Sequence, residues 1–344
     1  MTAEEQNSYF GVAGSAAGGV VGIGGSVVIA TLRSNVTATV SSGVSITAGG
    51  NVTVRARTTE DSFGIAVAGA AGAVTISGQI VIIDSDAAQT AQIVSGAVIP
   101  HAGGTVGVDA FADREVGTLA LGIGLGAAAV GVAIGISTIT GDTRALIGNV
   151  TIGGASPSGG LRVSADARLR APVQVYSVQG GILASVLGAG ATSTISGRTE
   201  AEFAGTAILS GAAAIEARGR YTSDSRTIGI GTGLVSAGAN VVSADISRIT
   251  TALVTGAATL TAGGAISVAA DTRAAASTNV INASGGFAAF SAASSIAEVS
   301  GRTTAIVLGR ILGSGRSPSR PSRRTGRMPR RRSSASADSC RPAV

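Results

Sequence analysis

The chain has 344 residues and an unusual composition: 52 are glycine, aromatics make up 3%, charged residues 13%, and tryptophan is absent. A core of Val, Ile, Leu and Ala with few aromatics must gain its burial from many small side chains, which suits ribbon-like packing of repeats better than one compact core. The formal charge of +6 is unevenly placed: residues 314–344 hold nine arginines and one acid, Asp338, for +8, whereas 1–313 hold 16 arginines and 18 acids, for −2, so the body offers no electrostatic footprint for nucleic acid.

The opening segment, MTAEEQNSYF, lacks a basic n-region and is not a signal peptide. It parallels Thr58-Thr59-Glu60-Asp61-Ser62-Phe63, so the chain is expected to begin at a repeat opening, inside a longer gene. An uncharged run then leads to Thr37-Ala38 and to the phrase Gly49-Gly50-Asn51-Val52-Thr53-Val54-Arg55-Ala56.

That phrase returns as Gly103-Gly104-Thr105-Val106-Gly107-Val108-Asp109-Ala110, then as Gly159-Gly160-Leu161-Arg162-Val163-Ser164-Ala165. A weaker copy is Ala213-Ala214-Ile215-Glu216-Ala217, and the last is Gly263-Gly264-Ala265-Ile266-Ser267-Val268-Ala269-Ala270. The apolar anchors Val54, Val108, Val163, Ile215 and Val268 are 54, 55, 52 and 53 residues apart. A second column, Ala38, Ala91, Ala145, Ala201, Ala252 and Ala305, is spaced 53, 54, 56, 51 and 53. Two columns with one period define about five and a half copies of a repeat of about 53 residues.

Within each copy a polar opening precedes a long uncharged run. In the third copy Leu119, Leu121, Ile123 and Leu125, then Val130, Val132, Ile134 and Ile136, alternate mostly with glycine and alanine. Period two predicts strand, and the odd step between Leu125 and Val130 predicts a turn or bend around Gly126–Ala129. A face made only of glycine and alanine lets another layer approach closely. The Gly-Gly pairs are expected at turns, where glycine accepts positive φ. The fold class is therefore all-β: a parallel β-helix-like β-solenoid over 1–313, read with two rungs per copy, followed by a disordered Arg/Ser/Pro-rich basic tail over 314–344 that resembles out-of-frame text from a GC-rich gene.

The closing phrases, from GGNVTVRA to GGAISVAA, and the runs between them, such as GIAVAGAAGAVTISGQIVII, resemble the long repeat regions of bacterial filamentous adhesins of the leukotoxin type, over about 1–312. The resemblance implies a secreted, extracellular structural or adhesive stalk exported through an outer-membrane pore. Its partners would be neighbouring repeats of a longer protein and a host-cell surface or matrix, reached through parts outside this chain. No binding residue carries over, because the family pattern is a scaffold.

Chemistry is expected to be absent: no catalytic, cofactor-binding or metal site, no cofactor, no small-molecule substrate and no specific nucleic acid. His101 is the one histidine and reads as a turn residue beside Pro100. Cys340, the one cysteine, lies in the tail. The acid pairs Glu60/Asp61, Asp84/Asp86 and Asp113/Glu115 read as solvated positions at copy boundaries or strand ends. Glycine clusters such as 122–126 lack the helix a phosphate cradle needs. Two alternatives stand beside the stalk. One is an integral membrane protein with small-residue-rich helical spans, since 116–141 and 172–197 are uncharged and long enough. The other is nucleic-acid binding through the basic tail.

Overall fold

Why the uncharged runs become long strands follows from their composition. They carry no helix cap and no proline break except Pro172, and their β-branched residues recur at period two. In the computed structural model, which describes residues 1–313, they form strands throughout, with no helix among the described residues. The stretches 116–141 and 172–197, weighed above as helical spans, are strand, and no helix is long and apolar enough to cross a membrane. The tail 314–344 lies outside the described residues.

Sixteen strands build six coils. Coil 1 holds β1 (Thr2–Val40) and β2 (Ser45–Ala48); coil 2 holds β3 (Val52–Ile93) and β4 (Val98–Ala102). Coil 3 holds β5 (Thr105–Thr140), β6 (Thr143–Ile147) and β7 (Thr151–Ile152); coil 4 holds β8 (Gly160–Phe203) and β9 (Thr206–Leu209). Coil 5 holds β10 (Ala213–Thr232), β11 (Val235–Val254) and β12 (Thr259–Ala262). Coil 6 holds β13 (Ile266–Gly285), β14 (Ala288–Val299), β15 (Arg302–Val307) and β16 (Arg310–Gly313). The long strands stack in parallel in the order β1-β3-β5-β8-β10-β13, and the short ones form a second parallel sheet, β2-β4-β7-β9-β12-β16. Thr2 pairs with Arg55 and Val52 with Val106, one repeat apart, so each copy is one coil rather than two rungs.

Each long strand runs out, doubles back at a tip and returns. Pairing skips Val20, Ala73 and Ala127, which mark the tips of coils 1 to 3. Ser85 on the returning limb reaches Glu60 on the outgoing limb of the same coil, at 2.6 Å. A coil is thus a flat hairpin-shaped arm on a three-sided base. At about 3.3 Å per residue the arm and base reach about 65 Å from Val52 to Gly72, and six coils at about 4.8 Å spacing rise only about 24 Å.

The base and the arm are packed differently. In the base, the outgoing strand, the end of the returning strand and the short sheet enclose one cluster of valine, isoleucine, leucine and alanine. In the arm the two limbs press glycine, alanine and serine against each other. A Cβ on Gly64 would lie 2.8 Å from Val81 Cγ1, and one on Gly135 would lie 2.9 Å from both Val173 Cγ1 and Val175 Cγ2, so glycine sets the close approach of the limbs.

Candidate functional site

The anchors take their positions from the coil register. Val54 pairs with Val108, Val108 with Val163, Val163 with Ile215 and Ile215 with Val268. Ala38 pairs with Ala91, Ala91 with Ala145, Ala145 with Ala201, Ala201 with Ala252 and Ala252 with Ala305. Both columns line the base core, where a side chain on one coil rests on its equivalent in the next. Burial weakens at coil 6, where Val268 is half-buried and Ala305 is exposed.

The corner glycines work through contact rather than through conformation. None of Gly49, Gly50, Gly103, Gly104, Gly159 or Gly160 has a positive φ. Instead, a Cβ on Gly103 would lie 2.3 Å from the Gly49 carbonyl oxygen, and one on Gly159 would lie 2.6 Å from the Gly104 carbonyl oxygen. Corners stack backbone on backbone, with the Gly104 amide donating to the Gly50 carbonyl at 3.0 Å. Positive φ occurs at other turns, at Gly43 (75°) and Gly96 (86°), between the returning strand and the short sheet.

Two polar clusters sit where arm meets base. Glu60 is not a solvated boundary residue: it and Arg114 each keep 1% of their side-chain exposure and form an ion pair at 2.9 Å. Glu60 also accepts from Ser85 and, at 3.1 Å, from Ser62; Arg114 donates to the Thr140 carbonyl at 2.6 Å and to the Ser85 hydroxyl. Burial pulls the Arg114 guanidinium below its ordinary pKa, and Glu60 partly restores it. The second cluster centres on Arg248, which donates to the carbonyls of Ser196 at 2.7 Å, Arg198 at 2.8 Å and Gly141 at 3.2 Å. Its guanidinium lies 5.1 Å from the Tyr221 ring centroid, and burial lowers its pKa as well. Both arginines donate to carbonyls at or beside the positive-φ glycines of the returning limbs. Arg114 donates to Thr140, next to Gly141 (φ 107°), and Arg248 to Gly141 itself. Arg248 also donates to Ser196 and Arg198, on either side of Gly197 (φ 117°). Each guanidinium is spent on buried backbone carbonyls and on partner side chains, which ties neighbouring coils together.

The other acids face outward from mid-strand rather than from loops: Asp61, Asp84, Asp86, Asp113 and Glu115 all lie within β3 or β5. Along this outer face charges pair between coils. Asp109 takes Arg55 and Arg162 at 3.5 Å each, and Phe111 lies between Arg57 and Arg168, 5.1 and 5.4 Å from the guanidinium carbons. Such exposed pairs contribute little stability singly but fix register. His101 belongs to β4 rather than to a turn, paired with Thr47. Its Nδ1 is buried without a hydrogen-bond partner.

The glycine cluster 122–126 gives room to glutamines of neighbouring coils. A Cβ on Gly122 would meet Gln79 Oε1 at 2.2 Å and one on Gly124 would meet Gln179 Oε1 at 2.1 Å. Gln179 in turn donates to Ser77 at 3.1 Å inside the arm. Among the described residues no three His, Cys, Asp or Glu side chains gather where they could hold a metal ion. A cleft of about 470 Å³ opens beneath the base of coil 1, between Met1, Val40, Val44, Ile46 and Val52, and is apolar apart from the terminal amine and a few hydroxyls and amides. The tail proposed above as a nucleic-acid contact lies outside the described residues. No family model, curated protein or solved structure matches the chain.

Proposed function

We propose that the chain is a structural and itself adhesive segment of a bacterial surface protein, touching cells with its own sides as well as carrying parts outside it, a scaffold rather than a catalyst. The observation that supports this most is repetition. Equivalent residues of successive coils pair one on one, and the polar groups capable of chemistry are spread along the stack or locked in ion pairs. The cysteine-free body, residues 1–313, suits passage across an outer membrane unfolded. The proportions refine the stalk expected from sequence: one coil of about 53 residues adds only about 4.8 Å of height, so the segment presents broad sides more than it extends.

The reading is tested with latex beads coated with the whole chain and applied to cultured epithelial cells. Several-fold more retention than on albumin-coated beads is expected. Equal retention overturns the adhesive role and leaves a bare scaffold.

A further inference from the structure

Near the base the two limbs of each arm enclose an ordinary apolar cluster that includes Val81, Ile83, Val173 and Val175. Toward the tips the polarity inverts. There the interior carries small or polar side chains, among them Thr75, Ser77, Gln79, Gln179 and Ser185, all buried. The outer faces there carry large apolar ones: Val74 and Ile76 on coil 2, Ile123, Leu125, Val130 and Val132 on coil 3, all exposed. The same holds on coil 1, where Val21, Ile23, Val27 and Ile29 point outward while Gly22, Gly24 and Ser26 point in.

The tips continue this surface. Each reversal turns on a glycine, the residue type that chain reversals recruit: Gly19, Gly72, Gly126, Gly181, Gly233 and Gly286. The residues that follow are apolar, Val20, Ala73, Ala127, Ile182-Leu183, Leu234 and Phe287, and they stack into one ridge across six coils. Phe287 is 97% exposed, Val20 80% and Ile182 75%. Charge stops short of this zone: residues 62–83, 116–141 and 171–197 contain no Asp, Glu, Lys or Arg. The flanking charges, Asp61 and Asp84 on coil 2 or Glu115 and Asp142 on coil 3, form a border across the arm.

We infer that the ridge and the outer faces beside it enter the acyl-chain boundary of a lipid bilayer, tip first. The shape selects the occupant. A second copy of the chain can cover one flat face, but the apolar surface wraps both faces and the rim between them, and only a fluid medium encloses all three. Polar-in, apolar-out alternation is the pattern of strands that face lipid. Entry is partial: among the described residues the outer edges of β1 and of β13 and β14 have no neighbouring strand, and hydrocarbon does not solvate such backbone groups. Insertion of the ridge by about 5–10 Å, the depth of interfacial elements, keeps most of those edges in water. The inference stands apart from the adhesive reading, which requires no lipid.

The chain has no tryptophan, so Phe287→Trp supplies a single reporter at the ridge and Thr90→Trp one near the base. With neutral phosphatidylcholine vesicles in about 1 M salt, where the screening length falls to about 3 Å, the basic tail contributes nothing. The expected result is a blue shift for Phe287→Trp, quenched by brominated acyl chains, and no change for Thr90→Trp. The whole chain should co-sediment with these vesicles, and Ile182→Asp with Leu234→Asp and Phe287→Asp should weaken this about tenfold or more, with circular dichroism unchanged. Binding confined to anionic vesicles and lost in salt overturns the inference, as does self-association without vesicle binding. Cell adhesion that survives the aspartate changes while vesicle binding was never present sinks the lipid contact and leaves the adhesive reading standing.

Discussion

Arg114 Nε lies 2.9 Å from Glu60 Oε2, and the two residues are 54 apart in sequence, one coil. They occupy the same inward column, Glu60 on coil 2 and Arg114 on coil 3. In the neighbouring coils that column holds Asn7, Leu169 and Tyr221, so the charges face each other only here. Both are fully buried, which makes the loss of one partner costly: the survivor stays in a low-dielectric site without compensation.

Glu60→Leu or Arg114→Met alone is therefore expected to destabilise by about 3–5 kcal/mol, and the double change to recover much of that loss. Urea unfolding of the four proteins forms a double-mutant cycle. Additive losses would show that the pair is not coupled.

The corner glycines give a prediction that depends on neighbours rather than on backbone angles. Gly103→Ala drives a methyl group to 2.3 Å from the Gly49 carbonyl oxygen, a backbone atom with no rotamer to yield. Overpacking of this kind costs about 1–3 kcal/mol. The equivalent Gly49→Ala meets nothing within 4 Å and should be close to neutral. Equal melting temperatures for the two variants would mean that corners do not bear on one another.

These pairs show what a single sequence discloses about this fold. Spacing of Val54, Val108 and Val163 reveals the repeat, because stacking imposes the same residue type once per coil. Alternation along Leu119–Ile136 reveals strand, and the Gly/Ala face predicts a closely approaching layer, which is the other limb of the arm. Alternation alone leaves open how many coils one copy makes. The bend expected around Gly126–Ala129 is the tip of coil 3, where pairing skips Ala127. Strands usually run 3–10 residues, and β3 continues for 42 through the equivalent tip at Ala73, so the length of one strand is not legible. Glu60 and Arg114 were equally opaque: Glu60 stands beside Asp61 in a polar opening that reads as solvent-facing, and its partner is a full repeat away. The short sheet hid His101 for a similar reason, since a five-residue strand, Val98–Ala102, that contains Pro100 and stops just before Gly103 resembles a turn.

Glu202 sets a pH dependence. Partial burial raises its pKa above the ordinary 4.5, nearby Glu200 raises it further, and Arg144 offsets part of this. A raised carboxyl pKa means that the folded state favours the protonated form. Below 4.5 the group is neutral folded and unfolded, and no penalty exists. As pH rises through that value and then through the folded pKa, ionisation costs the folded state stability. Glu202→Gln should therefore raise the melting temperature at neutral pH and make no difference below the ordinary pKa. A Glu202→Gln effect that persists undiminished in acid would assign it to packing instead.

A stack held by nearest-neighbour contacts should lose stability unevenly when its anchors are cut. Ile215 is fully buried between Val163 and Val268, with a coil on each side. Ile215→Ala removes three carbons from a site that neighbours on both faces hold open, and about 2–5 kcal/mol should be lost. Val268 lies on coil 6, half-buried, with β10 on one side and no described strand on the other. Val268→Ala should cost less than half as much, because the outer face already touches solvent. Hydrogen exchange separates the two further. Ile215→Ala should speed exchange in coils 4 to 6 together, since the coupling between them passes through it, while Val268→Ala should leave coils 1 to 4 unchanged. Uniform acceleration along the chain by either variant would show one cooperative unit rather than a stack that opens from its end.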